Sequence, residues 1–346
     1  MTDDSDIQSA ITLMDTFDDN GLNKALNMLQ PARLAAFELS NMDDHHGVFA
    51  LFNTKLLQNR PCFTESFEKQ SHNIWVAPMT TLSKVGRQQD ILGYKGLTGG
   101  LVAGYENAIN KNFIAGTSLG YLYSNIKWPQ KGGQSDLQKG FVAGYAGYLI
   151  PRVTLEASAL GGISDYNVRR GIVFSGLERT ARHHHAGGFF SSHLGLDVIP
   201  WINANWLHLF FQVDYNYLRQ NGYRERGAGC LGLILEHRNS HLIRDELGLH
   251  FHKRYATKSV CWQIDYYLSW GNKTPMNKGR YRSKLYSFGN GPELVVDTIN
   301  RSLNFFSPGV KVSCQKKGFS LATTYKGEFK GRYKTHQITF EISLAW

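Results

Sequence analysis

Three groups of residues have types that could carry chemistry. Gly116, Ser118 and Gly120, in "GTSLG", match the G-x-S-x-G pattern that seats a nucleophilic serine on a sharp strand-to-helix turn. His183, His184 and His185, with His193 close by, offer imidazoles to a metal. His208, Asp214, His250 and His252 could form histidine–carboxylate pairs of the kind a hydrolase uses as a general base.

The elements around these residues argue against the first two readings, and histidines and acids like those of the third are expected in the lumen of any water-filled barrel. The serine elbow needs a helix after the turn, but here alternation continues through Tyr121 and Tyr123. Gly116, Ser118 and Gly120 therefore share one parity of a strand and form a stripe of small residues. Consecutive residues on a strand face opposite ways, so at most His183 and His185 could share a ligand sphere. No acid or cysteine stands at metal spacing from them. Cys62, Cys230, Cys261 and Cys314 lie far apart with no C-x-x-C pair, and they read as isolated thiols. The G-x-x-x-x-G-K pattern of a nucleotide site is also missing. The expectation is no catalytic residue, no cofactor and no metal.

Composition leaves a membrane barrel open. The 346 residues include 35 glycines and 17 tyrosines, and only 19% are charged. Mean hydropathy is −0.33, and no stretch approaches the ~18 apolar residues of a spanning helix. Spanning strands pass that filter because only one of their faces is apolar. The net charge of +10 comes from 38 basic and 28 acidic residues scattered along the chain. With no basic motif interleaved with aromatics, nucleic acid is not expected as a partner.

The first sixty residues read as helix, with Leu22, Leu26, Leu29 and Leu34 at helical intervals and Pro31 as a break. The acidic start "MTDDSDIQSAITLMDTFDDNG" lacks the basic region and apolar core of a secretory signal. For an exported chain it reads as a fragment or a misplaced start codon. From Ile74 the period becomes two. Strands are predicted at 72–83, 95–106, 112–128, 134–149, 153–168, 182–197, 204–219, 240–254, 259–271, 303–315, 318–329 and 333–346.

One rule runs through the clearest strands. In "SVCWQIDYYLSW", Val260, Trp262, Ile264, Tyr266, Leu268 and Trp270 share a parity, and Asp265 lies on the other. In "WLHLFFQVDYNY", Leu207, Leu209, Phe211 and Val213 oppose His208 and Asp214. The apolar face ends in tyrosine and tryptophan, which matches a lipid-facing belt with aromatic girdles around a polar lumen. Such a sheet must close, because hydrocarbon cannot satisfy an open edge. Connections alternate short ("AIN", "IPR", "ATK", "KK") and long, as a membrane barrel requires. The sequence therefore predicts an all-β fold: a 12-stranded antiparallel transmembrane β-barrel preceded by an N-terminal helical segment and a linker.

The ordered set "ALNMLQPARLAAF", "NIWVAP", "GGLVAGYENAINKNFIAGTSLGYLYSNIKW" and "LATTYKGEFKGRYKTHQITFEISLAW" resembles the translocator domain of type V autotransporters. More narrowly it looks like the autotransporter end of chlamydial-type polymorphic outer membrane proteins. The resemblance implies a non-enzymatic module in the bacterial outer membrane, a 12-stranded antiparallel β-barrel with an N-terminal α-helix in the pore, that carries its own upstream passenger to the cell surface, with adhesion as the passenger's role. It also implies the divisions 1–20 residual passenger or linker, 21–60 helical pore segment, 61–71 linker, and 72–346 outer-membrane β-barrel. The final strand, Ile338, Phe340, Ile342, Leu344 and Trp346, would be the signal read by the barrel-assembly machinery, though family members usually end in Phe. Some autotransporters cleave the passenger inside the pore at an asparagine near lumen carboxylates. Asn41 and Asn53 lie in the helical region, but the paired-asparagine signal is missing, so that activity is not carried over. The alternative is a porin-like channel or an outer-membrane barrel enzyme.

Further expectations concern the lumen. Residues 34–58 should lie against Gly116, Ser118, Gly120, Gly140, Val142 and Gly144, whose small side chains leave room for a helix. Glu106, Glu156, Asp214 and Asp265 should be lumen charges, able to pair with Arg33, Lys55 or Arg60. The basic residues Arg169, Arg170, Arg179, Arg182, Arg224, Arg226, Lys273, Lys278, Arg280, Arg282 and Lys284 are placed in or beside outward loops. There they would meet outer-membrane lipid or lipopolysaccharide.

Overall fold

The computed structural model describes residues 3–19, 21, 25, 35–58, 72–87, 93–129, 131–174, 176–200, 206–257, 260–276, 280–285, 294–297, 302–316 and 318–346. Twelve strands form the barrel. They are β1 (His72–Val85), β2 (Tyr94–Ala108), β3 (Phe113–Trp128), β4 (Gly133–Ile150), β5 (Val153–Phe174), β6 (Leu177–Val198), β7 (Leu207–Gln220), β10 (Arg238–Ala256), β11 (Cys261–Pro275), β14 (Leu303–Lys316), β15 (Phe319–Lys330) and β16 (Tyr333–Ala345). Every neighbour is antiparallel, and β16 closes the ring against β1, with Val76 opposite Ile342 and Val85 opposite Tyr333. The closure runs to the last residue: His72 N donates to Trp346 O at 3.1 Å and Trp346 N to His72 O at 2.9 Å.

The period-two pattern sorts side chains as hydrocarbon demands. Leu119, Val142, Ile163 and Leu194 stand outward and are more than 60% exposed, while Lys139, Arg244, Glu246, Asp265 and Lys273 are buried inward. Ile338, Phe340, Ile342, Leu344 and Trp346 all lie on the exposed outer face.

Short connections at 109–112, 151–152, 257–260 and 317–318 share one end with His72 and Trp346. At the other end, β5 and β6 run 22 residues each as a hairpin that rises past the pairing of Gly187 with Gln220. Beside it, four short strands build a second sheet: β8 (Tyr223–Arg224), β9 (Leu233–Leu235), β12 (Arg280–Leu285) and β13 (Leu294–Asp297). These strands fall where the sequence reads as loop, because two to six residues carry too little periodicity to register.

Residues 3–15 form a helix in the segment expected to be passenger remnant or linker. It docks at the long-loop end, where Asp6 accepts the Arg179 guanidinium and the backbone N–H of Cys230. Leu13 and Phe17 pack there on a cluster of Ala25, Ile172, Ala181, Ala228, Cys230 and Leu231. A second helix, Ala35–Gln58, fills the barrel. Its 24 residues make a rod about 36 Å long.

The cysteines correct one expectation. Cys230 and Cys314 are free, but the lumen-side Cys261 is disulfide-bonded, and its partner is outside the described residues.

Candidate functional site: the pore and its helix

The pore helix is buried on every side, so it needs partners all round. Its outer half is ionic. Asp44 receives Lys139 Nζ at 2.5 Å, with the hydroxyls of Thr98 at 3.3 Å and Ser124 at 3.4 Å. Asp43 pairs with Lys273 and accepts Tyr333 Oη at 3.1 Å. Lys273 also reaches Glu328 at 2.6 Å. Glu38 pairs with Arg238. His46 Nδ1 sits 2.8 Å from Asp214 Oδ2, and Arg244 links this cluster to Glu246 at 2.6 Å and Glu328 at 2.8 Å. These contacts come from strands spread around the ring. A buried ion pair adds little net stability but is costly to break, so this layer fixes register and rotation.

The inner half is mainly apolar. Phe52 stacks on Tyr145 with centroids 4.5 Å apart and meets Trp75 edge-on at 6.1 Å. Trp75 Nε1 donates to Tyr145 Oη at 3.0 Å, and Tyr145 donates to Glu106 at 3.2 Å. Phe49 stacks on His193 at 5.4 Å. Each such aromatic contributes about 1.5–3 kcal/mol by burial. Lys55 ends the helix on Glu341, 2.7 Å away.

The expected lumen charges Glu106, Glu156, Asp214 and Asp265 are all buried on the inner face. Asp214 and Asp265 meet other partners than the expected cations. Lys55 pairs with Glu341, while Arg33 and Arg60 are outside the described residues. Asp214 is met by His46 and His193, and Asp265 by His250. The helix supplies mainly acids and the wall supplies cations, the reverse of the predicted polarity.

The small-residue stripe also needs correction. Gly140, Val142 and Gly144 are on the outward face: a Cβ added at Gly140 would meet open space, and one at Gly144 would only brush the Gly116 carbonyl at 4.0 Å. The lumen parity of β4 is Lys139, Phe141, Ala143, Tyr145 and Gly147. Gly116 and Gly120 do face inward, with Ser118 between them, but what crowds them is Tyr145 and Phe141, 2.3 Å from their would-be Cβ atoms. The helix thus rests on aromatics that the glycines accommodate. The glycine that directly admits it is Gly147, whose added Cβ would lie 2.8 Å from Leu56.

The other chemical candidates fall into place as packing residues of the wall and the helix. Ser118 lies in mid-strand, so no elbow forms. His183 and His185 face inward and stack on Tyr223 at 3.7 and 4.5 Å. Asn41 Nδ2 is directed at Tyr166 Oη, 3.4 Å away. Lys273, expected in or beside an outward loop, is a buried lumen residue, and Arg170 pairs with Glu225 at 2.5 Å.

The structure is a closed twelve-stranded barrel with a helix of the same chain inside it. Residues 74–345 match the family model described as the autotransporter beta-domain, and the chain belongs to that family. The fold is similar to the translocator domain of the autotransporter NalP from Neisseria meningitidis, with a TM-score of 0.64 at 12% identity, covering 88% of this chain and 98% of that one. It is also similar to the beta domain of the Bordetella autotransporter BrkA, with a TM-score of 0.57 at 18% identity, covering 80% and 100%. A stretch of 76 residues is 26% identical to Outer membrane protein B of Rickettsia typhi, 21% of this chain and 5% of that protein's length. The chain is a translocator domain of the bacterial outer membrane, of a family that typically transports and does not catalyse.

Proposed function

We propose that the chain exports a passenger encoded ahead of it and then keeps the passenger's trailing segment, residues 35–58, as a plug. One observation carries this reading. The chain passes through the barrel once, with residues 3–15 docked at the long-loop end, Ala35–Gln58 inside, and β1 starting at the short-turn end. That is the topology of a polypeptide whose N-terminal side has already crossed. The buried pairs of Asp43, Asp44, Glu38 and Lys55 support a plug with one fixed register. The module works without catalysis. Its final strand pairs with the barrel-assembly machinery through the same edge that β1 later occupies, a form of strand addition. Arg282 and Lys284 meet lipid-borne phosphate at the outer surface. A passenger acting in adhesion fits the resemblance to polymorphic outer membrane proteins.

Deleting residues 1–58 tests the plug. The barrel should still fold and its single-channel conductance in planar bilayers should rise several-fold. A signal peptide and small reporter placed ahead of the chain should appear at the cell surface. Unchanged conductance together with a periplasmic reporter would instead favour a free-standing channel.

A further inference from the structure

The short-turn half of the lumen holds a cluster that the translocator reading does not use. Asp197 on β6, His208 on β7 and His250 on β10 are buried, and each can offer one ligand atom within 4.8 Å of the others. The fold brings them together by register. His250 is directly opposite His208 in the β7–β10 ladder, and Asp197 is opposite Phe210, two residues from His208. Directly opposed residues on one face of a sheet hold their side chains side by side.

The hydrogen bonding around His250 is that of a metal ligand. Its Nε2 lies 3.1 Å from Asp265 Oδ1. Asp265 is in turn held by Gln263 Nε2, at 2.8 and 3.0 Å from its two oxygens, and Gln263 by Arg254 Nε at 2.9 Å. A carboxylate that accepts one ring N–H fixes the tautomer and turns the other nitrogen into a lone-pair donor. That other nitrogen, Nδ1, is buried without a hydrogen-bond partner and points toward Asp197, whose Oδ2 is 3.9 Å away. Across the site, His208 Nδ1 is 2.6 Å from Asp197 Oδ1, a contact a metal would open slightly.

Against the cluster lies a cavity of about 50 Å³, lined by Asp197, His250, Gln212, Tyr267 and the helix residues Asn53 and Thr54. A single water needs only ~10–15 Å³, so the cavity can supply a water as a further ligand. Two cations lie near. Lys326 also lines the cavity but is neutralised by Glu246 at 2.9 Å, and Lys311 donates to the Thr54 carbonyl at 3.1 Å.

We propose that Asp197, His208 and His250 bind a divalent transition metal of the zinc class, with Asp265 as the residue that orients His250. Two imidazoles and one carboxylate suit zinc and its borderline neighbours and disfavour magnesium or calcium. His252 forms an overlapping triad with His250 and Asp265, but Asp265 is already occupied with Nε2, which assigns the metal to the Asp197 side. The ion sits on the barrel wall beside the inner end of the plug.

The test uses the full chain, refolded in detergent micelles and stripped with a chelator. Cobalt(II) is titrated in, followed by visible absorption, and then displaced with zinc. The expected result is one cobalt per chain with intense low-symmetry bands, lost in His250→Gln and in His208→Gln. Asp265→Asn should weaken binding by about 10–100-fold. His184→Gln, His183→Gln and His185→Gln should leave it unchanged. Heat-modifiable migration on gels reports folding of each variant, and if His208→Gln fails to fold, His250→Gln and Asp265→Asn carry the test. Only weak octahedral bands, or binding that survives both His250→Gln and Asp265→Asn, would overturn the proposal and leave the cluster as hydrogen-bonded wall. Loss of the bands in His183→Gln or His185→Gln would overturn it equally, by moving the site to the other end.

Discussion

The Lys139–Asp44 pair offers a test of what holds the plug. Lys139 is fully buried on the β4 wall and Asp44 is 1% exposed on the helix, with 2.5 Å between the charged atoms. Replacing Lys139 with methionine keeps the bulk of the side chain and removes its charge. Among the described residues, Asp44 then retains the hydroxyls of Thr98 and Ser124. Breaking one side of a buried pair costs about 3–5 kcal/mol. That cost falls on helix docking, because the strand ladders do not depend on the charge. At 1.4 kcal/mol per factor of ten, the undocked fraction should rise by about 10²–10³·⁵-fold. Single-channel recording should show frequent transitions to the conductance of the helix-deleted barrel, with heat modifiability retained. The double variant Lys139→Met with Asp44→Leu removes both charges, and such replacements are often neutral or stabilising, so it should close the pore again. A silent single variant, or a double variant as open as the single, would refute the claim that ion pairing sets the register.

Gly147→Ala should loosen the plug by about 1–3 kcal/mol through overpacking against Leu56, whereas Gly140→Ala should leave conductance unchanged, because its Cβ meets nothing. Ile342→Lys should cost the barrel about 2–4 kcal/mol if it sits near mid-membrane, read as lost heat-modifiable material in denaturant titrations. Asp6 is held at about 2, first by the hydrogen bond from Arg179 and then by the Cys230 N–H. A lowered carboxylate stabilises the docked state above its ordinary value of 3.8 and loses that effect as pH falls through about 2. Docking of residues 3–15, followed by amide exchange corrected for intrinsic rate, should therefore be flat from about pH 8 to 5 and weaken only in strong acid. Asp6→Asn should weaken it at neutral pH as well.

Where one strand parity carried charges, the sequence was legible: Asp265 in β11 and Asp214 in β7 identify the lumen face, and the structure puts both there. The misreading of β4 has a physical cause. "GFVAGYAGY" has small and aromatic residues on both parities, so hydrophobicity does not separate the faces. Lys139, just before it, marks the inner parity but is a single residue. Strand and turn positions came through because period two persists over 12 or more residues in each barrel strand. The polarity of the helix contacts did not, since an acid on a helix says nothing about which strand will face it. The docking of residues 3–15 was hidden for the same reason: Asp6 and Arg179 meet only in the folded chain. The Asp197–His208–His250 cluster left a faint trace. His208 and His250 share the polar parity of their strands, but only the ladder register makes them neighbours.

The pore helix joins two materials end to end, rich in charge from Glu38 to His46 and mainly apolar from Val48 to Leu56, with Lys55 as the exception. They respond to temperature in related ways. Apolar burial is entropic near room temperature and fades on cooling. The desolvation that opposes a buried ion pair shrinks on warming. Both ends therefore grip more tightly as temperature rises from the cold, and release of the plug should carry a positive heat capacity change. A barrel that looks sealed at 37 °C should flicker open near 5 °C, without any change in the wall that surrounds the helix.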